Sequence, residues 1–317
     1  MSVGQPWMWG VFIIFVLFML ALDLFVFGGR KSHRVSIKEA ASWSVAWLGL
    51  ALAFNALLWW YLNGTLGAEV ANQKSLEFLT GYVIEKSLSV DNVFVFLMIF
   101  SAFHVAPEHQ RRVLLYGVLG AIVLRAIMII AGAWVVSEFN WVLYIFGVFL
   151  VITGIRMLVM AEKTPDIEQN PVLKFARRHL RITDGFEGEK FSVMQNGVRY
   201  FTPLFLVLLM VEISDVIFAV DSIPAIFAIT TDPFIVFTSN IFAIMGLRAL
   251  YFLLADMADR FHLLKYGLAF LLVFIGGKML VAYWMHVPTT VSLLVIATIL
   301  TSSIIASLLV TKPKNES

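Results

Sequence analysis

Residues 203–229, PLFLVLLMVEISDVIFAVDSIPAIFAI, carry three carboxylates, Glu212, Asp215 and Asp221, inside a run long and apolar enough to cross a membrane. An ionisable side chain at that depth costs roughly 2.5–3.5 kcal/mol on insertion scales, so three together require a neutralising partner, a water-filled cavity or a bound cation. Pro224 adds to the pattern: it has no amide hydrogen, and so frees the carbonyl of Val220 beside Asp221. Carboxylates with a spare carbonyl oxygen form half of a site for a hard cation.

The other half lies upstream. The run at 76–103 contains TGYVIEKSLSVDNVFVFLMIF, in which Glu85 and Asp91 have the same spacing of six as Asp215 and Asp221. Ser-Val-Asp-Asn around Asp91 parallels Ala-Val-Asp-Ser around Asp221. The following runs share Leu124-Arg125-Ala126 and Leu247-Arg248-Ala249, and the next share Gly154-Ile-Arg156-Met157-Leu158 and Gly276-Gly-Lys278-Met279-Leu280. Three matched segments in one order make a repeat.

The candidate metal ligands are therefore Glu85, Asp91, Asn92, Glu212, Asp215 and Asp221, with Lys86, Arg125 and Arg248 as supporting charges. Five carboxylates against three cations leave a formal excess of two negative charges, which a divalent ion or bound protons would balance. If the two acidic helices pack antiparallel, Glu85 shares a level with Asp221, and Asp91 with Asp215, the levels lying roughly 9 Å apart. Six residues also turn a straight helix by about 600°, so both acids of one helix reach a common cavity only where the helix unwinds, as Pro224 would allow. Asn240 is a further oxygen donor or an interhelical hydrogen bond, Met210 a soft ligand or packing, and Asp23 a snorkelling or capping residue.

These residues need a membrane bundle to hold them. With 317 residues, 60% of them apolar, no cysteine, no HExxH and no nucleotide-binding loop, the chain excludes thiol chemistry and is expected to be neither an enzyme nor an ATPase. It reads as an all-α membrane protein of about nine spans, near 7–27, 41–62, 76–103, 112–136, 140–160, 203–229, 233–254, 264–284 and 290–310. Alternate connections hold the basic residues, while the others hold only Lys74, which places the N-terminus outside and the C-terminus in the cytoplasm. Spans 3–5 and 6–8 then run in opposite senses, an inverted 3+3 repeat of the kind that places transport sites at the midplane.

The expected divisions are two helices in 1–75, the first repeat in 76–160, a cytoplasmic connection in 161–202, the second repeat in 203–284, and a last helix with its tail in 285–317. In the connection, Asn170 caps a short basic helix starting at Pro171, and Asn196-Gly197 is a hairpin signal. Tryptophans at span ends read as an interfacial belt, and all six histidines fall in or beside connections.

The segments EKSLSVDNVF, RRVLLYGVLGAIVLRA, VEISDVIFAVDSIPAIFA, NIFAIMGLRALYFLLA and LKYGLAFLLVFIGGKML resemble the TerC family of integral membrane proteins and, within it, the Alx branch. That resemblance implies a bacterial inner-membrane protein of metal-ion homeostasis, with manganese export as its activity, an association with tellurite resistance, and the acidic motifs above as its site. The donor set itself suits Mg2+, Ca2+ or Mn2+ and disfavours Zn2+ and Cu+. The expected function is a proton-coupled exporter of Mn2+, with the bilayer, Mn2+ and protons as partners, no permanently bound cofactor and no nucleic acid. The alternative is a membrane scaffold of the stress response whose buried acids are structural, using the 161–202 segment.

Overall fold

A computed structural model describes residues 2–27, 36–139, 141–159, 171–255, 263–282, 284–285 and 287–310, with the side chains of 23–27 and 171–172 left aside. The side chain of Asp23, together with Asn170, His33, His262, His286 and the basic residues Arg30, Lys31, Arg34, Lys163, Arg260, Lys312 and Lys314, lies outside what is described.

The described chain is mostly helical: α1 (Pro6–Phe27), α2 (Ile37–Leu66), α3 (Ala68–Ala102), α4 (Pro107–Glu138), α5 (Val142–Val159), α6 (Pro171–His179), α7 (Pro203–Phe227), α8 (Pro233–Met245), α9 (Leu247–Ala255), α10 (Leu264–Val281) and α11 (Thr289–Val310). Seven helices are long and apolar enough to cross a membrane, α2, α4, α5, α7, α8 with α9 taken as one, α10 and α11. The described apolar part of α1 is shorter, and α3 carries the charges that keep it out of this group.

Local chemistry sets several boundaries. Proline occupies the first turn of α4, α7 and α8, where its missing amide hydrogen costs nothing. The Asp232 carboxylate caps α8 by accepting from the Phe234 amide at 3.1 Å. Between α2 and α3 only Gly67 intervenes, at φ 91° and ψ 164°, a conformation essentially confined to glycine. The apolar pattern starts the third span at 76, whereas α3 begins at Ala68, so its first two turns carry polar residues that periodicity of apolar side chains cannot reveal. Pro224 does not interrupt α7, contrary to the unwinding expected beside Asp221. The interruption falls instead at Gly246, between α8 and α9.

Helices α3, α4, α7 and α8 meet at the centre. Gly81 of α3 lies against Ile226 of α7, while Asn92 reaches Asp215, so these two helices run antiparallel. Helices α5 and α10 are also antiparallel and approach through glycine. A Cβ on Gly154 would lie 2.7 Å from the Ala269 carbonyl oxygen and 2.7 Å from Val273, and one on Gly276 would lie 2.6 Å from the Gly147 carbonyl oxygen and 2.9 Å from Val151. Small residues allow such close backbone approach in a membrane, where packing rather than the hydrophobic effect holds helices together. On one flank, α1 and α2 join α3 and α8 through rings of Phe12, Phe54, Phe78, Phe234 and Phe242, with Phe54 and Phe242 centred 5.0 Å apart.

Strands β1 (Ser192–Gln195) and β2 (Val198–Phe201) form a hairpin in which Gln195 faces Val198. Its turn residues, Asn196 and Gly197, both have positive φ, as a two-residue hairpin turn requires. Leu173 and Ala176 of α6 are buried in the cluster formed by Val113 and Leu114 of α4 and Leu204 and Val207 of α7. The Phe191 ring meets Tyr116 at 5.2 Å, and Glu189 pairs with Arg112 at 3.6 Å. This small appendage therefore grips the beginnings of α4 and α7. Trp7, Trp59, Trp60, Trp141 and Trp284 are exposed near helix ends, whereas Trp9 packs on Phe234 at 5.2 Å.

Candidate functional site

Helix α4 supplies Arg125, whose guanidinium is fully buried at the crossing of α3 and α7. Its Nε and Nη2 donate to the two oxygens of Asp215, at 3.2 and 3.0 Å, a forked arrangement that only arginine makes. Its Nη1 donates to Glu85, to Asn240 at 3.1 Å and to Ser222 at 3.3 Å. Asn240, on α8, returns its amide to Glu85 at 3.2 Å, and Asn92 reaches Asp215 at 3.5 Å. Four helices thus contribute to one network with Arg125 at its centre.

Two oxygens beside this network have no partner. Asn92 Oδ1 and Glu212 Oε2 are buried without a hydrogen bond. Glu212 is one turn before Asp215 on α7, within reach of its charge, and its carboxylate lies so close over Gly120 of α4 that a Cβ there would overlap it. Buried acceptors ordinarily find donors, and leaving one bare costs about 1–3 kcal/mol, so these two oxygens are features a ligand would satisfy. Glu85, Glu212 and Asp215 against Arg125 give three carboxylates to one cation, a formal −2 when all are ionised.

The remaining expected ligands point elsewhere. Asp221 takes a hydrogen bond from Thr153 on α5, and Asp91 feels the charge of Lys265 on α10. Among the described residues, no three acidic or histidine side chains converge as a metal cluster does. The six expected ligands are therefore not gathered around one point, for two physical reasons. A guanidinium already stands between Glu85 and Asp215, and an unbroken α7 carries Asp221 round to another face, as the six-residue spacing dictates.

The two expected levels are visible in the neighbours of these acids. Ser222 shares Arg125 Nη1 with Glu85, and Asn92 touches Asp215, so the backbone at Asp221 is level with Glu85 and that at Asp91 is level with Asp215. What the spacing does not reveal is that a single arginine ties the levels together. Of the other expected charges, Lys86 donates to the Ala243 carbonyl oxygen at 3.2 Å, and Arg248 is buried on α9. Asn240 makes interhelical hydrogen bonds, and Met210 packs in an apolar cluster with Val113 and Phe96.

Ser222, Thr153, Gly120 and Gly246 take part in this geometry, though none is a candidate by residue type. Ser222 was legible from the repeat, since it occupies the position of Asn92 in the matched motifs. Glycines are recognisable only once the facing helix is known.

Comparison with known proteins agrees with the motifs. The model of the "Integral membrane protein TerC family" matches residues 70–315. A protein named "Putative membrane-bound redox modulator Alx" from Salmonella typhi is 58% identical over 304 residues, 96% of this chain and 94% of its own length. Its namesake from Escherichia coli strain K12 is 58% identical over 304 residues, 96% and 95% of the two chains. "Uncharacterized membrane protein STKORF319" from Myxococcus xanthus is 51% identical over 308 residues, covering 97% and 94%. No solved structure matches. On its acidic helix pair, its spans and these relatives alike, the chain belongs to the TerC family of integral membrane proteins.

Proposed function

We propose that this protein is a secondary transporter that exports a divalent cation, Mn2+ by the family's implication, across the bacterial inner membrane in exchange for protons, and that it is not an enzyme. The observation that carries the reading is the pair of bare buried oxygens on Asn92 and Glu212, beside three carboxylates, Glu85, Glu212 and Asp215, whose formal charge summed with Arg125 is −2. Carboxylate and amide oxygens in a dehydrated pocket are ligands for a hard divalent ion.

The spans supporting this reading are nine: α1 to α5, α7, the α8–α9 pair, α10 and α11, with the N-terminus outside and the C-terminus in the cytoplasm. Reciprocal contacts favour the inverted repeat. Gly154 and Gly276 are equivalent by the matched motifs, as are Val151 and Val273, and Gly154 meets Val273 where Gly276 meets Val151. Such exchange of partners is what a twofold axis produces. Under this topology Glu85 and Asp221 flank the outer side of the crossing, Asp215 and Asp91 the inner side. An ion arriving from the cytoplasm meets Asp91 and Asp215, competes with the guanidinium of Arg125 for the carboxylates, and leaves past Glu85 and Asp221. Arg125 offsets one of the three carboxylate charges in the empty site, and protons returning on the carboxylates would balance the charge carried out.

A second reading is supported by the saturation of Arg125 itself: every acid it touches could be a structural lock in a scaffold that recruits partners through α6 and the hairpin. Liposome flux separates the two. Purified protein should carry Mn2+ in response to a pH gradient, and Asp91→Asn and Asp221→Asn should each abolish that flux while leaving the melting temperature within a few degrees. Absence of flux for Mn2+, Ca2+ and Mg2+ from folded wild-type protein would favour the scaffold.

A further inference from the structure

The helix break at Gly246 lies outside the acid network and has its own resident charge. Helix α8 ends at Met245, and the carbonyls of its last turn carry the partial negative charge of a helix C-terminus with no amide of the same helix to receive. One of them, Ala243, accepts the Lys86 ammonium at 3.2 Å. The approach depends on Gly246: a Cβ there would lie 2.5 Å from Lys86 Nζ on one side and 3.4 Å from the Cβ of Trp47 on the other. Interrupted helices whose freed carbonyl ends hold a small cation are a recurring device of membrane transporters. Here the cation is covalently attached.

The matched halves supply an independent observation. By the motif alignment, Lys86 corresponds to Val216 and Gly246 to Val123. Val123 lies inside α4, which runs unbroken from Pro107 to Glu138. By the motif alignment, the counterpart of the lysine beside the break is thus a valine, and the counterpart of the break is an unbroken stretch of α4. A lysine in the membrane serving only helix packing would have no reason to accompany the break.

We propose that the α8–α9 break is a monovalent-cation site, selective for a small singly charged ion or an ammonium, which Lys86 fills as a tethered occupant. The ammonium stands where an alkali ion would otherwise be coordinated by α8 carbonyl oxygens. Asn240, three residues before Ala243, is bonded to Arg125 and Glu85, so this site lies about one helical turn from the acid network. Two fixed cations then serve the two negative features of the core: Arg125 the carboxylates, Lys86 the helix end.

The test is thermal unfolding of purified wild type, Lys86→Ala and Lys86→Met in choline chloride against sodium, potassium and methylammonium chloride at equal ionic strength. Methionine keeps the length of the lysine stem while leaving the ammonium position open, and serves if the alanine variant does not fold. Both variants should melt below wild type in choline and recover by on the order of 2 °C with at least one of the three small cations, by mass action on the folded state. Wild type, its site already filled, should melt alike in all four salts. Gly246→Ala should be destabilised equally in every salt, because its methyl group fills the notch. Variants that melt alike in all four salts would overturn the proposal, as would a wild type that gains from sodium, potassium or methylammonium as much as they do.

Discussion

The two halves of the molecule carry the same sequence motifs and use them differently. In the first, α3 and α4 are continuous, Arg125 reaches the centre, and Gly120 leaves room for Glu212. In the second, the helix bearing Arg248 is split at Gly246, and position 243, equivalent to 120, is an alanine whose carbonyl holds Lys86. The acid pair Glu85 and Asp215 is nearly symmetric, but its counter-ion is not: one arginine serves both acids. Matched motifs thus carry different helix continuity and different charge compensation in the two halves.

The most severe way to break the asymmetry is to remove its centre. Arg125→Met leaves Glu85 and Asp215 facing each other in the interior without a cation, and loss of one member of a buried ion pair costs about 3–5 kcal/mol. Arg125→Lys should recover little, because an ammonium cannot make the two parallel bonds to Asp215 while also reaching Glu85. Thermal unfolding in detergent measures the loss. Adding Glu85→Gln to Arg125→Met removes one of the uncompensated charges, and the double variant should melt above the single one. A double variant that melts no higher would show that the guanidinium packs rather than neutralises.

How much of this was legible in the sequence follows the physics of each feature. Spans show because about 20 apolar residues in a row leave few alternatives, and the acids show because charge in that setting is costly. The antiparallel crossing follows from the order of the spans, since the third and the sixth cross in opposite senses, and not from the spacing that Glu85 and Asp91 share with Asp215 and Asp221, which parallel helices would share as well. Arg125 as the shared partner does not, since linear order cannot say which of two equivalent arginines turns inward. Pro224 misleads because a helix tolerates proline where neighbouring groups satisfy the freed carbonyl, whereas Gly246, which carries no such warning, is where the helix stops. The polar start of α3 and the close contact of Gly120 with Glu212 depend on tertiary neighbours and leave no periodic trace.

A milder change copies one half into the other. Gly120→Ala gives the first half the alanine that the second has at position 243, and the new methyl group would overlap the Glu212 carboxylate. The cost should be about 1–3 kcal/mol, the usual range for overpacking. Gly49→Ala, with nothing within 4 Å of its added Cβ, should be neutral or slightly stabilising. If Glu212 is a ligand, Gly120→Ala should also weaken Mn2+ flux beyond its effect on stability. Equal melting temperatures for the two alanine variants would show that α4 and α7 can separate at that point without loss.

The smallest expected effect concerns the acids that point away from Arg125. Asp221 is held by the Thr153 hydroxyl of α5, while the residue equivalent to Thr153 in the matched motifs is Ile275 of α10, which offers no donor. Thr153→Val preserves shape and deletes one hydrogen bond to a carboxylate, so stability should fall by only about 1–2 kcal/mol. Its effect on flux should be larger in proportion if Asp221 is a ligand, because an Asp221 freed from Thr153 no longer has a fixed position beside the crossing. Ile275→Thr reverses the asymmetry by giving α10 the same hydroxyl. If Asp91 accepts it, the two variants should shift the Mn2+ concentration for half-maximal flux in opposite directions, and shifts of the same sign would mean that the two aspartates do not act as counterparts.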